Sequence, residues 1–108
     1  MKFLIGVIFA LAVCSFASAQ SGFTPIQWNP HNTTLWNLYS DGSEFAQMDA
    51  IAQGQSEWVL IQVDNVAVQQ VANGNNYQFN VEIINNGAQT LNFVIHDSPL
   101  TLLSWSVN

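Results

Sequence analysis

The sequence predicts an α+β fold, with one helix laid across a four-stranded antiparallel sheet in a single domain spanning residues 20–108. Three observations carry this. Four segments alternate with period two, the mark of strands with one buried face. Asn86-Gly87 stands between two of them, a strong local signal for a hairpin. One stretch ahead of all four carries apolar residues at helical spacing, so a helix is at hand to cover the apolar face of the sheet.

The chain opens with Lys2, an apolar run from Phe3 to Val13, and small residues at Ala17 and Ala19. This reads as a secretory signal peptide over residues 1–19, cut after Ala19, and implies an extracellular protein. The run is shorter than the ~20 residues that a permanent membrane helix needs. A lipoprotein reading through Cys14 is the rival, and Val13 directly before that cysteine argues against it.

Residues 22–34, rich in Asn and Pro around Trp28, read as irregular, with a short helical turn over Leu35 to Tyr39. The main helix is expected to begin at Asp41-Gly42-Ser43-Glu44, which has the spacing of a capping box. Phe45, Met48 and Ile51-Ala52 would form its apolar stripe, and Gly54 its stop. The first strand places Val59, Ile61 and Val63 on one face. It changes phase at Asp64-Asn65, the sign of a bulge, so that Val66 and Val68 take over. The second strand carries Tyr77, Phe79, Val81 and Ile83, and the third Leu91, Phe93 and Ile95. After Ser98-Pro99 the fourth carries Leu103, Trp105 and Val107. Trp58 and Trp105 read as sheet and core residues.

Beyond Ala19 there is no Lys, Arg or Cys, against seven carboxylates. Such a chain repels phosphate backbones and anionic lipid, which excludes nucleic acid and a charged membrane surface as expected partners. It also lacks a disulfide framework and a thiol nucleophile. Of the two histidines, His31 stands alone. His96 is followed by Asp97, but neighbours on a strand face opposite ways, so this Asp cannot orient this His as a catalytic triad requires. No metal-ligand spacing, dinucleotide fingerprint or phosphate loop is present. The expectation is a protein that is not an enzyme, with no cofactor and no metal. Asn32-Thr33-Thr34 is an Asn-x-Thr acceptor for N-glycosylation in a secreted chain.

Gln70-Val71-Ala72-Asn73-Gly74 joins a phase-shifted strand to a strictly alternating one that opens Asn76-Tyr77-Gln78-Phe79. It resembles the Gln-x-Val-x-Gly hairpin of the cystatins, reversible inhibitors of papain-like cysteine proteases. Gly22-Phe23-Thr24-Pro25-Ile26 is similar to the Gly-Trp-x-Pro-Ile opening of disulfide-free, plant-type cystatins, and Phe45-Ala46 to the Phe-Ala of their helix. The resemblance implies a cystatin-like fold and a secreted competitive inhibitor, monomeric, with a cathepsin-type protease as partner. Its cleft would be plugged by Gly22, by Gln70, Val71, Ala72, Asn73 and Gly74, and by Pro99 and Leu100 of a second hairpin. Three departures stand out: Ala72 where the family has valine, Pro99-Leu100 where it usually has Pro-Trp, and a single glycine at the N-terminal segment. A non-inhibitory binding protein of the same fold is the alternative.

Overall fold

A computed structural model describes residues 22–108, so the signal segment read at residues 1–19 lies outside the described residues. The fold is α+β: one helix, α1 (Thr33–Ala52), packs on an antiparallel sheet. The sheet has five strands rather than four, in chain order β1 (Thr24–Ile26), β2 (Val59–Val71), β3 (Gly74–Ile84), β4 (Ala88–Asp97) and β5 (Leu100–Val107). The added strand is β1. It pairs Thr24 with Val68 and Ile26 with Val66 at the sheet edge, and is too short to show alternation in the sequence.

α1 begins well ahead of the expected Asp41 and absorbs the turn read at Leu35 to Tyr39. Asn32 sets its start: it is extended, and its side-chain oxygen accepts from the Leu35 N–H at 3.1 Å, satisfying one of the free donors of the first turn. Asp41-x-x-Glu44 therefore lies inside the helix, not at its cap. The end is as expected. Gly54, with φ +90°, follows the last turn, its N–H donating to Ile51 O at 2.9 Å while Gln55 N–H reaches Ala50 O at 3.0 Å.

The helix buries a different face from the one its large apolar residues suggest. Leu35, Leu38, Tyr39, Gly42, Ser43, Ala46 and Ala50 face the sheet, while Phe45, Met48 and Ile51 are exposed, Met48 by 60 %. The reason is space. β4 presents Phe93 to the helix so closely that a Cβ on Gly42 would stand 2.3 Å from the ring, and only small residues allow that approach. Phe93 in turn stacks on Phe79 of β3, with ring centroids 5.0 Å apart. Val81 and Ile83 of β3, with Leu91 and Ile95 of β4, complete the fully buried centre.

The strand phases also need correction. In β2, Val63 packs on the core as expected, but Val59 and Ile61 are exposed and Leu60 packs there in their place. Two register shifts, at Leu60/Gln62 and at Val63/Asn65, bring Leu60 opposite Ile83, Val63 opposite Val81 and Val66 opposite Phe79. The bulge read near Asp64-Asn65 is present, and the second one upstream inverts the face of everything before it. In β5, Trp105 and Val107 pack on the core as expected, but Leu103 is exposed. A register shift between Val94 and Ile95 sets Leu102 opposite Ile95 and turns it inward.

Two side-chain bonds fix the helix, one to the residue that leads into β2 and one to β5. Gln47 Oε1 accepts from the Trp58 N–H at 2.7 Å, and Trp105 Nε1 donates to Asp49 Oδ2 at 2.7 Å. Ahead of the helix, Trp28 sits edge-on to Tyr39 (centroids 5.5 Å) and to Phe79 (6.2 Å), which pins the segment leading out of β1.

Candidate functional site

Antiparallel pairing decides which turns meet. β2 runs to one end of the sheet, β3 leaves it, and β4 returns to it, so the β2–β3 and β4–β5 turns lie at the same end. β1 is antiparallel to β2 and starts at that end. The structure therefore gathers Gly22, the first turn and the second turn, three places that the sequence separates widely.

Gly22 has φ +84°, a conformation that suits glycine. A Cβ there would stand 3.5 Å from Gln69 Nε2, an ordinary contact, so its requirement for glycine is conformational rather than steric. In the first hairpin Gln70 pairs with Asn75 and Val71 with Gly74, so the tip is narrower than the sequence suggests: only Ala72 and Asn73 lie between the paired strands, both exposed. Gly74 takes a φ of +129°, the left-handed region that suits glycine. In the second hairpin Asp97 pairs with Leu100, and Ser98-Pro99, joined by a cis peptide bond, forms the exposed turn. Leu100 is 42 % exposed, which offers an apolar surface beside the turn.

Residues that sequence reasoning did not assign to the site hold these segments together. The Asp97 carboxylate accepts from the backbone N–H of Asn75 at 2.9 Å, and its other oxygen lies 3.4 Å from Asn75 Nδ2. Across the strands, Asn76 Nδ2 donates to Gln69 Oε1 at 3.1 Å, and His96 Nδ1 lies 2.7 Å from Asn76 Oδ1. His96 Nε2 lies 3.0 Å from the carbonyl oxygen of Ser98, reaching the second turn. A continuous polar chain thus runs from Gln69, beside Gly22, to the Ser98-Pro99 turn. The pairing of Asn76 with His96 makes this chain possible, and that register is invisible to a reading of each strand by itself.

The geometry also separates His96 from Asp97. His96 turns to Asn76 and Ser98, whereas Asp97 turns to Asn75. Burial, and after it the negative charge of Asp97, holds the Tyr77 hydroxyl above its ordinary pKa, so it stays neutral and protonated at physiological pH. The rim residues Gly22, Val71, Ala72, Asn73, Pro99 and Leu100 carry no charge, with the Asp97 carboxylate held beside them. Among the described residues no group of three or more His, Cys, Asp and Glu side chains is placed to hold a metal ion, and no helix is long and apolar enough to cross a membrane.

Asn32, the glycosylation acceptor, uses only its side-chain oxygen in capping α1, and the residue is exposed. Comparison with protein-family models, with curated proteins and with solved structures finds no match.

Proposed function

We propose that this chain is a secreted, cystatin-like inhibitor that reversibly plugs the active-site cleft of papain-like cysteine proteases. The observation that carries the reading is the convergence of Gly22, the Ala72-Asn73 tip and the Ser98-Pro99 turn on one end of the sheet. A cleft-plugging inhibitor needs no nucleophile. It needs a narrow, neutral edge that is ordered before binding, because freezing loops on association costs affinity.

Each segment contributes in its own way. Gly22 lets the backbone pass close to the protease surface. Val71 and Ala72 supply apolar contact, and an apolar pair at a turn is unfavourable unless a partner covers it. Pro99 and Leu100 form the second contact, with leucine in place of the aromatic residue that dominates many interfaces. The partner is a cathepsin-type protease met outside the cell, and the protein itself is neither catalytic nor dependent on a cofactor.

Titration of active-site-labelled papain with folded residues 20–108 tests the proposal. Saturable, reversible inhibition with competitive kinetics is expected. A folded protein that leaves papain untouched at high micromolar concentration removes the inhibitor reading and leaves a binding module of this architecture, which the departures at Ala72 and Leu100 favour as the second reading.

A further inference from the structure

We infer that Asp97 is a positioning residue, the clip through which the second hairpin holds the first in its binding shape. The main-chain pairing of β3 with β4 stops at Asn76 and His96. One residue beyond, the Asn75 N–H still points toward β4, where no carbonyl is paired with it. The Asp97 carboxylate takes that place at 2.9 Å and continues the ladder with a side chain. A carboxylate accepting a backbone N–H is a charge-assisted bond, shorter and stronger than its neutral counterpart.

The same carboxylate explains Gly74. A Cβ built on Gly74 would stand 2.5 Å from Asp97 Oδ1, so the space that glycine leaves is the seat of the clip. Gly74 is thus fixed twice, by its φ of +129° and by the oxygen packed against it. Asp97 is also the last paired residue of the second hairpin, opposite Leu100. One residue therefore closes the second turn with its backbone and caps the first with its side chain. Through that one side chain the positions of the two turns are coupled.

As a positioning role for the proposed protease-binding edge, the inference rests on that reading, and the test keeps the two apart. Residues 20–108 are prepared as wild type, Asp97→Ala, Asp97→Asn, Gly74→Ala and Gly74→Ala/Asp97→Ala, and each is measured by amide exchange of Asn75 and by papain association and dissociation rates. Asp97→Ala is expected to speed Asn75 exchange tenfold or more and to raise the dissociation rate about tenfold while the association rate changes less than threefold. Asp97→Asn retains an acceptor oxygen and is expected to restore most of both. Gly74→Ala in the Asp97→Ala background is expected to cost less than Gly74→Ala alone, since the clashing oxygen is gone. Unchanged Asn75 exchange in Asp97→Ala overturns the clip, whatever papain does. Faster exchange with unchanged papain rates keeps the contact but overturns its role in positioning. A wild type that ignores papain removes the inhibitor reading alone, and the exchange data then decide whether Asp97 holds the first hairpin.

Discussion

Gly42 of α1 faces Phe93 of β4 so closely that a Cβ on the glycine would stand 2.3 Å from Cε2 and 2.9 Å from Cδ2 of the ring. The ring cannot retreat, because Phe93 is buried and stacked on Phe79. In an open helix Gly→Ala stabilises by about 1 kcal/mol. Here the sign reverses. Gly42→Ala is expected to destabilise by ~1–3 kcal/mol, the usual cost of overpacking a core. Thermal unfolding followed by circular dichroism should show a melting point lower by several degrees, at roughly 4–8 °C per kcal/mol for a domain of this size.

The outward face of the helix gives the complementary expectation. Met48→Gln changes a residue that is 60 % exposed, so stability should stay within about 0.5 kcal/mol of wild type. Ala46→Leu, at a position with no exposure, should cost ~1–3 kcal/mol. Urea unfolding of the pair separates the observed helix orientation from one in which Phe45, Met48 and Ile51 form the core. Equal losses in both variants would contradict the packing described.

Asn32 carries two roles that substitution can separate. Asn32→Asp keeps the capping oxygen and ends glycosylation, whereas Asn32→Ala loses the cap as well, at a cost of ~1 kcal/mol. Passed through a eukaryotic secretory pathway, the wild-type chain is expected to gain an N-glycan, seen as a mass shift removed by peptide N-glycosidase, since the acceptor is exposed and its nitrogen is not used in the cap. Both variants should lack that shift, and only Asn32→Ala should melt earlier in the unglycosylated form.

Alkaline pH should lower the stability of the protein through its tyrosines. Tyr39 is held above the ordinary tyrosine range by burial, and Tyr77 by burial and then by Asp97. A raised folded pKa means that the native state keeps its protons where the unfolded chain has lost them. That stability is fully present below the unfolded value of about 10 and is lost as pH rises through the folded values. Beyond Ala19 there is no Lys, Arg or Cys, so no other side chain confuses the titration there. Tyr39→Phe and Tyr77→Phe should each flatten the loss of stability between pH 9 and 12, roughly the window set by an ordinary tyrosine pKa near 10. Denaturant midpoints measured across that range supply the check.

The proposed inhibitor makes one further demand on the first tip. Ala72→Val adds two buried carbons at the protease contact, about 1–2 kcal/mol at roughly 0.8 per carbon. Papain inhibition should tighten about five- to thirtyfold. Ala72 lies outside the paired strands and is exposed, so the melting point should not move with it. An unchanged inhibition constant would place the contact elsewhere.

Local regularity was legible in the sequence. The alternation of Tyr77, Phe79, Val81 and Ile83, and that of Leu91, Phe93 and Ile95, marks β3 and β4 with the correct buried face, because both are central strands without a bulge in their mutual pairing. Asn86-Gly87 marks the turn between them, where Asn86 and Gly87 take φ +58° and +121°. Gly54 marks the end of the helix for the same conformational reason. The α+β class follows from these features together with one helical stretch.

Only the tertiary structure decided the rest. The buried face of α1 depends on how near Phe93 comes, and no periodicity records the distance between a helix and a sheet. Leu60 and Leu102 replace Val59, Ile61 and Leu103 in the core because bulges insert a residue into one strand only, which shifts the face without changing the alternation around it. β1 is a strand through its neighbour alone. The meeting of Gly22 with two turns, and the clip from Asp97 to Asn75, arise from the pairing register across strands, a long-range property set by the whole sheet. Short-range stereochemistry fixes which residues can turn, cap or alternate; what those residues touch depends on how the sheet and helix fill space together.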